Sequence, residues 1–169
     1  AALRAATEFG NSAWSLGIGL ALLALLSVAK RKGMEAVAED LKGLRSVLLL
    51  LVGSVAISGV TASLAKNLIG RVRPSTLPDA SVFEFSVMAF RASWAAFPSG
   101  HATTAAACAV TLAICAPRQS WAWLSIGLVA ALSRAFLGVH WLSDCLAGLV
   151  LGAVVTLALR TRMADRGHQ

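Results

Sequence analysis

The feature that most constrains this chain is the gathering of its apolar residues into five long blocks. They run approximately from Asn11 to Ala29, Ser46 to Ala65, Ser99 to Ala116, Ser120 to Gly138 and Trp141 to Leu159. A helix rises about 1.5 Å per residue and the hydrocarbon core of a bilayer is about 30 Å thick, so about 20 apolar residues suffice for one crossing. The first three blocks and most of the fourth carry no charge, and Arg134 and Asp144 lie near the ends of the last two. Small residues recur inside the blocks, among them Gly53, Ser54, Ser58, Gly59, Gly148 and Gly152. In lipid, where burial supplies no drive between helices, such residues let backbones approach closely. The expectation is an all-α integral membrane bundle of five transmembrane helices, with residues 1–169 forming one domain.

Composition agrees with this. Hydrophobic residues make up 57% and charged residues 14% of the chain, against about 25% charged in an ordinary soluble domain. The net charge of +7 would suit nucleic acid, but no Lys/Arg-rich block is interleaved with aromatics, so no nucleic-acid partner is expected. Phosphate groups and the headgroups of the bilayer are the anions that fit. Cys108, Cys115 and Cys145 sit in apolar blocks without metal-ligand spacing and read as small core residues. The chain opens on Ala1 with no charged region and cleavage site before the first block, so a trimmed or disordered start, with a preceding helix missing, is the expectation.

Charge is divided unevenly between the connectors. Lys30, Arg31, Lys32, Lys42, Arg45, Arg118, Arg160, Arg162 and Arg166 fall on one side, and Arg4, Lys66, Arg71, Arg73, Arg91 and Arg134 on the other. The positive-inside rule puts the richer side in the cytoplasm and the other in the periplasm or exterior. Between the first two blocks, Met34, Val37, Leu41 and Leu44 recur at helical spacing among Glu35, Glu39, Asp40, Lys42 and Arg45, which predicts an amphipathic helix on the membrane surface. An ordinary polar connector is the alternative.

On the outer side the ionisable residues converge. Lys66, Arg71 and Arg73 follow the second block, His101 opens the third, Arg134 closes the fourth, and His140 with Asp144 opens the fifth. Ionisable groups at membrane depth are costly and point to function. Lys66, Arg73 and Arg134 supply three positive charges, and guanidinium forks match phosphate oxygens. Ser99 and Gly100 begin a helix whose free N–H groups face the same place, so side chains and backbone together form an anion site. His140 and Asp144 are four apart on one helix face, so the carboxylate can take a proton from one imidazole nitrogen and leave the other to attack. His101, from another helix, can protonate the leaving oxygen and then activate water. The alternatives are a structural interfacial histidine and arginines that reach to headgroups. Seven such residues from four segments on one face argue against coincidence.

Lys66-(six residues)-Arg73-Pro74, Pro98-Ser99-Gly100-His101 and Ser133-Arg134-(five residues)-His140-(three residues)-Asp144 resemble the three-part signature of the type 2 phosphatidic acid phosphatase superfamily. All three parts match at their defining positions and in the family's order. The resemblance implies that Lys66, Arg73, Ser99, Gly100 and Arg134 bind the phosphoryl group. It makes His140 the nucleophile that forms a phosphohistidine, His101 the general acid and base, and Asp144 the group that orients His140. It implies an all-helical fold with neither metal ion nor other cofactor. Membrane members typically cross six times, whereas five blocks are counted here, which agrees with a missing amino-terminal helix.

Two other classes stand against a membrane phosphatase. Vanadium-dependent haloperoxidases share the anion cradle but are soluble, and the five blocks argue against that branch. A non-enzymatic anion-binding membrane protein with an inherited cradle would usually have lost His101, His140 or Asp144, and all three are present. The segment from Ser75 to Phe97 carries Val82, Phe83, Phe85, Val87, Met88, Phe90, Trp94 and Phe97. It either dips into the headgroup layer, with Arg91 and Arg71 meeting a second anionic group, or packs over the helix ends. The expected function is metal-independent hydrolysis of a lipid phosphate at the outer face of the cytoplasmic membrane. Phosphatidylglycerol phosphate, phosphatidic acid and lipid A 1-phosphate are the candidates, with undecaprenyl pyrophosphate as the alternative.

Overall fold

In the computed structural model, which describes residues 2–31, 34, 39–76 and 81–167, helices α1 to α6 span Ala2–Glu8, Ser12–Arg31, Lys42–Ile69, Gly100–Cys115, Ser120–Phe136 and Leu142–Gly167. Short 3-10 turns occupy Ala92–Trp94 and Pro117–Gln119. The only pairing of extended backbone among the described residues is one bridge between Arg71 and Phe85, so the all-α expectation holds.

Each apolar block forms a helix. Three of them, α2, α3 and α6, are long and apolar enough to cross a membrane unaided, with mean hydropathies of 1.9, 2.2 and 2.1. The other two have 16 and 17 residues, about 24–26 Å at the helical rise, which is short of the hydrocarbon thickness. For α4 the reason is its place: it packs against α3, α5 and α6, and nine of its residues are buried. A helix surrounded by other helices need not match the lipid.

Its sequence makes that centre possible. Residues 102 to 109 of α4 are alanine, threonine and cysteine, which leave room for neighbouring backbones. Gly148 and Gly152 on α6 face it, and a Cβ at Gly148 would stand 2.5 Å from the carbonyl oxygen of Ser99. At Gly152 it would run into the Thr103 carbonyl. The glycine pair is therefore the contact that seats α6 on the start of α4. The buried hydroxyls of Thr103, Thr111 and Thr156 donate to carbonyls one turn back at 2.9, 2.8 and 2.7 Å, satisfying polar groups where water is absent. Outward, Trp14, Ile18, Leu25, Ile57, Val60, Leu64, Leu128 and Val154 are exposed. An apolar surface of that extent belongs against lipid.

Two expectations change. The surface helix drawn around Met34 to Arg45 lies partly outside the described residues, and Lys42 to Arg45 are instead the first turn of α3. Cys108 and Cys145 are buried as expected, but Cys115 is exposed at the end of α4.

Candidate active site

α3 stops where its chain must turn back over the bundle. Gly70 adopts a left-handed conformation with φ 62°, and its N–H donates to the carbonyl of Lys66 at 3.0 Å. A Cβ on Gly70 would strike the Ser86 carbonyl, so glycine is needed both for the turn and for the close approach of the returning segment. That returning segment is pinned along the one after α3. Ser86 N–H donates to Gly70 O at 2.7 Å, Val72 N–H to Glu84 O at 3.1 Å and Arg73 N–H to Ser93 O at 2.8 Å.

The eight expected residues lie at the same end of the bundle. Lys66 is in the last turn of α3, Arg73 in the segment that follows, and Arg134 in the last turn of α5. Ser99 caps α4, its hydroxyl accepting from the Ala102 N–H at 3.4 Å, and Gly100 and His101 open that helix. His140 lies in the bend before α6, and Asp144 in the first turn of α6. A Cβ on Gly100 would stand 2.9 Å from Lys66 Nζ, so the ammonium lies against the N-terminus of α4, where both can face one ligand. The charges of Lys66 and Arg134 are felt at His101, and those of Lys66 and Arg73 at His140.

Among the described residues no carboxylate pairs with Lys66, Arg73 or Arg134. Arg73 donates to Ala95 O at 3.3 Å and Arg134 to the Thr7 hydroxyl at 3.2 Å, yet the buried Nε of each has no partner among the described residues. Three half-buried cations without a counter-ion and two orphaned guanidinium N–H groups suit an incoming anion. Burial also works against the charge on Arg73, with Asp144 partly offsetting it. No cluster of three His, Cys, Asp or Glu side chains that could hold a metal ion occurs among the described residues.

His140 is buried and doubly held. Its backbone N–H donates to the Arg134 carbonyl at 3.3 Å, and its Nδ1 lies 2.8 Å from the carbonyl oxygen of Ala96. Asp144 Oδ2 is farther from Nδ1, at 3.6 Å. A carbonyl oxygen only accepts, so Nδ1 carries the proton and Nε2 is left with its lone pair. The main acceptor for the imidazole is thus a loop carbonyl, with the carboxylate beside it. Burial pulls the His140 pKa below its ordinary value of 6.5, while Asp144 pushes the other way and the charge of Arg73 adds to the lowering.

Asp144 itself is fully buried and faces Arg71 more closely than His140. The Arg71 Nη1 donates to Asp144 Oδ1 at 2.5 Å, and the Trp141 N–H donates to Oδ2 at 2.9 Å. The suggestion that Arg71 meets a second anionic group is therefore corrected: it is 4% exposed and faces inward. Sequence reasoning counted Arg71 among the converging ionisable residues but did not pair it with Asp144, and it did not place the Ala96 carbonyl or Thr7 in this site. The one available signal was a third basic residue between Lys66 and Arg73.

The backbone ties the three motifs into one unit. Ser99 N–H donates to Asp144 O at 3.0 Å, Ala96 N–H to Arg71 O at 3.1 Å, and Trp141 Nε1 to Val72 O at 3.0 Å. Next to Lys66, Gly100 and His101 opens a cavity of about 500 Å³, bordered by Leu16, Val55, Val60 and Leu64 of α2 and α3. A larger cavity of about 780 Å³ lies at the opposite end, between Lys30, Arg31, Lys42 and Arg45, and no histidine lines it among the described residues. Above the site Val82, Phe83, Phe85, Val87, Met88 and Phe90 are exposed, whereas Trp94 and Phe97 are partly covered.

Residues 47–167 match the PAP2 superfamily. A lipid A 1-phosphatase of Rhizobium etli is 32% identical over 158 residues, which cover 89% of this chain and 66% of that protein. The lipid A 1-phosphatase of Rhizobium johnstonii is 31% identical over 156 residues, covering 89% of this chain and 62% of that one. The chain thus spans just under two thirds of the length of these curated relatives. The crystal structure of a transmembrane PAP2 type phosphatidylglycerolphosphate phosphatase from Bacillus subtilis has the same fold, with a TM-score of 0.64 at 21% identity over 97% of this chain and 76% of that chain.

Proposed function

The chain belongs to the PAP2 superfamily, and on that premise we propose that it is a metal-independent membrane phosphatase that removes a terminal phosphate from a lipid. The observation that carries this reading is the pairing of His140, its Nδ1 engaged by Ala96 O at 2.8 Å, with three cations that no carboxylate among the described residues neutralises. Lys66, Arg73, Arg134 and the N-terminus of α4 hold the phosphoryl oxygens, supplying the charge stabilisation that a divalent cation supplies elsewhere. The Nε2 of neutral His140 attacks phosphorus. The P–O bond to the lipid breaks, His101 gives its proton to the leaving alkoxide, and a phosphohistidine remains. His101 then takes a proton from water, the hydroxide attacks the phosphohistidine, and inorganic phosphate leaves with His140 neutral again.

An amphiphilic substrate is supported by the site's surroundings. The cavity beside Lys66 and His101, with Leu16, Val55, Val60 and Leu64 on its wall, offers a place for an acyl chain, and the exposed apolar side chains of the segment from Val82 to Phe90 suit the headgroup layer. Likeness to lipid A 1-phosphatases supports a saccharide lipid monophosphate of that type as substrate. Phosphatidylglycerol phosphate and phosphatidic acid share the chemistry. The distribution of basic residues supports a site on the outer face of the cytoplasmic membrane.

Release of inorganic phosphate from these three lipids and from undecaprenyl pyrophosphate, by purified protein in EDTA, tests the reading. Turnover of a monophosphate and trapping of labelled phosphate on wild type but not on His140→Ala are expected. Turnover of the pyrophosphate alone would replace the substrate class, and label on the variant would remove the phosphohistidine.

A further inference from the structure

We propose that Arg71 is a positioning residue, which sets both acceptors that face His140 Nδ1 and balances the charge of one of them. The inference rests on the phosphatase reading above. Those acceptors come from different segments: Ala96 O stands at 2.8 Å and Asp144 Oδ2 at 3.6 Å. Arg71 holds each. Its carbonyl accepts the Ala96 N–H at 3.1 Å, which anchors the residue whose own carbonyl is the first acceptor. Its Nη1 donates to Asp144 Oδ1 at 2.5 Å and to Ser143 Oγ at 2.7 Å, which fixes the second.

The rest of the guanidinium is equally committed. Nε and Nη2 donate to Val82 O at 3.0 and 2.8 Å, and the group lies 5.8 Å from the ring centres of both Phe85 and Trp141. Arg71 thus has no fork free for phosphate, in contrast to Arg73 and Arg134 with their orphaned Nε atoms. The charges facing His140 are Asp144 from α6, Arg73 from the segment after α3, Lys66 from α3 and His101 from α4, with Arg134 at the end of α5 holding its backbone. Among them Asp144 alone is negative, and Arg71 is its ion-pair partner. With Arg71 in place the carboxylate orients the imidazole while its pull toward imidazolium is moderated, so His140 keeps the lone pair it needs. Without Arg71 that carboxylate favours a protonated, non-nucleophilic His140.

The pH dependence of kcat/KM on a lipid monophosphate, measured in purified full-length protein, reads this directly. For Arg71→Gln the acid limb moves up by about one pH unit or more. The plateau kcat falls roughly tenfold to a hundredfold, with KM little changed because no phosphate contact is lost. Arg71→Lys, which keeps the charge and loses the fork, returns most of the limb position and part of the rate. In an Asp144→Asn background, Arg71→Gln adds less than about a threefold loss, since the two act as a unit. That double variant leaves no buried carboxylate unpaired and decides the matter if Arg71→Gln does not fold. An unmoved acid limb in Arg71→Gln, or losses that multiply in the double variant, would overturn the proposal. NMR titration of the His140 imidazole gives the same answer without turnover. Wild-type protein that hydrolyses no lipid phosphate therefore sinks the phosphatase reading, whereas an unmoved titration sinks the role of Arg71.

Discussion

Both ends of this helix bundle carry basic residues, and they use them in opposite ways. At the end holding the first turn of α3 and the last turns of α2 and α6, Lys30, Arg31, Lys42, Arg45, Arg118, Arg160, Arg162 and Arg166 are all exposed. One of them, Lys42, pairs with Glu39 on the surface. At the other end Arg71 is buried, Lys66, Arg73 and Arg134 are partly buried, and His140 and Asp144 lie beneath them. Exposed charges are screened, and each adds little to stability. Partly buried charges gathered without counter-ions repel one another and lose hydration, an arrangement that makes sense when an anion completes it. A positive sign is thus common to an exposed surface and to the candidate site. Burial and convergence are what distinguish them.

The largest effect expected from breaking this contrast is at His140, the proposed nucleophile. His140→Ala should lower phosphate release by about 10⁴-fold or more, with the protein still inserted and folded by near-unchanged thermal unfolding in detergent. Asp144→Asn keeps the shape and removes the charge, and turnover should fall within about 10² to 10⁴ with lipid binding little changed. A variant that kept wild-type turnover and only melted earlier would make Asp144 a packing residue. The acid limb of kcat/KM in the wild type should lie below pH 6.5, because burial, the main influence on His140, disfavours the imidazolium and extends the neutral, attacking form to lower pH. A limb at or above 6.5 would mean that Asp144 outweighs burial.

Smaller effects mark the edges of the comparison. Gly148→Ala places a Cβ 2.5 Å from the Ser99 carbonyl and should cost about 1–3 kcal/mol through overpacking. Unfolding in detergent should show the loss, together with reduced turnover as the cap of α4 shifts. At the opposite end Arg160→Ala should change turnover by less than about twofold and stability by about 0.5 kcal/mol or less, as for other exposed surface positions. A large loss there would dissolve the distinction between the two ends.

Much of this was legible in the sequence, for a local reason. Chain length per apolar block determines where helices form, so the blocks from Asn11, Ser46, Ser99, Ser120 and Trp141 became α2 to α6 with ends shifted by a few residues. The spacing of the motifs placed Lys66, Ser99, Gly100, His101, Arg134, His140 and Asp144 at helix ends, and alternation of the blocks brought those ends together. The enclosure of α4 was not legible, because a short apolar run reads the same whether lipid or other helices surround it. Nor was the partner of each buried polar group. Four-residue spacing set His140 near Asp144, but the acceptor at 2.8 Å is the carbonyl of Ala96, 44 residues away, and the arginine on Asp144 lies 73 residues away. A buried charge or donor takes whichever partner the packed segments bring within about 3 Å, and only the tertiary structure decides which segments those are.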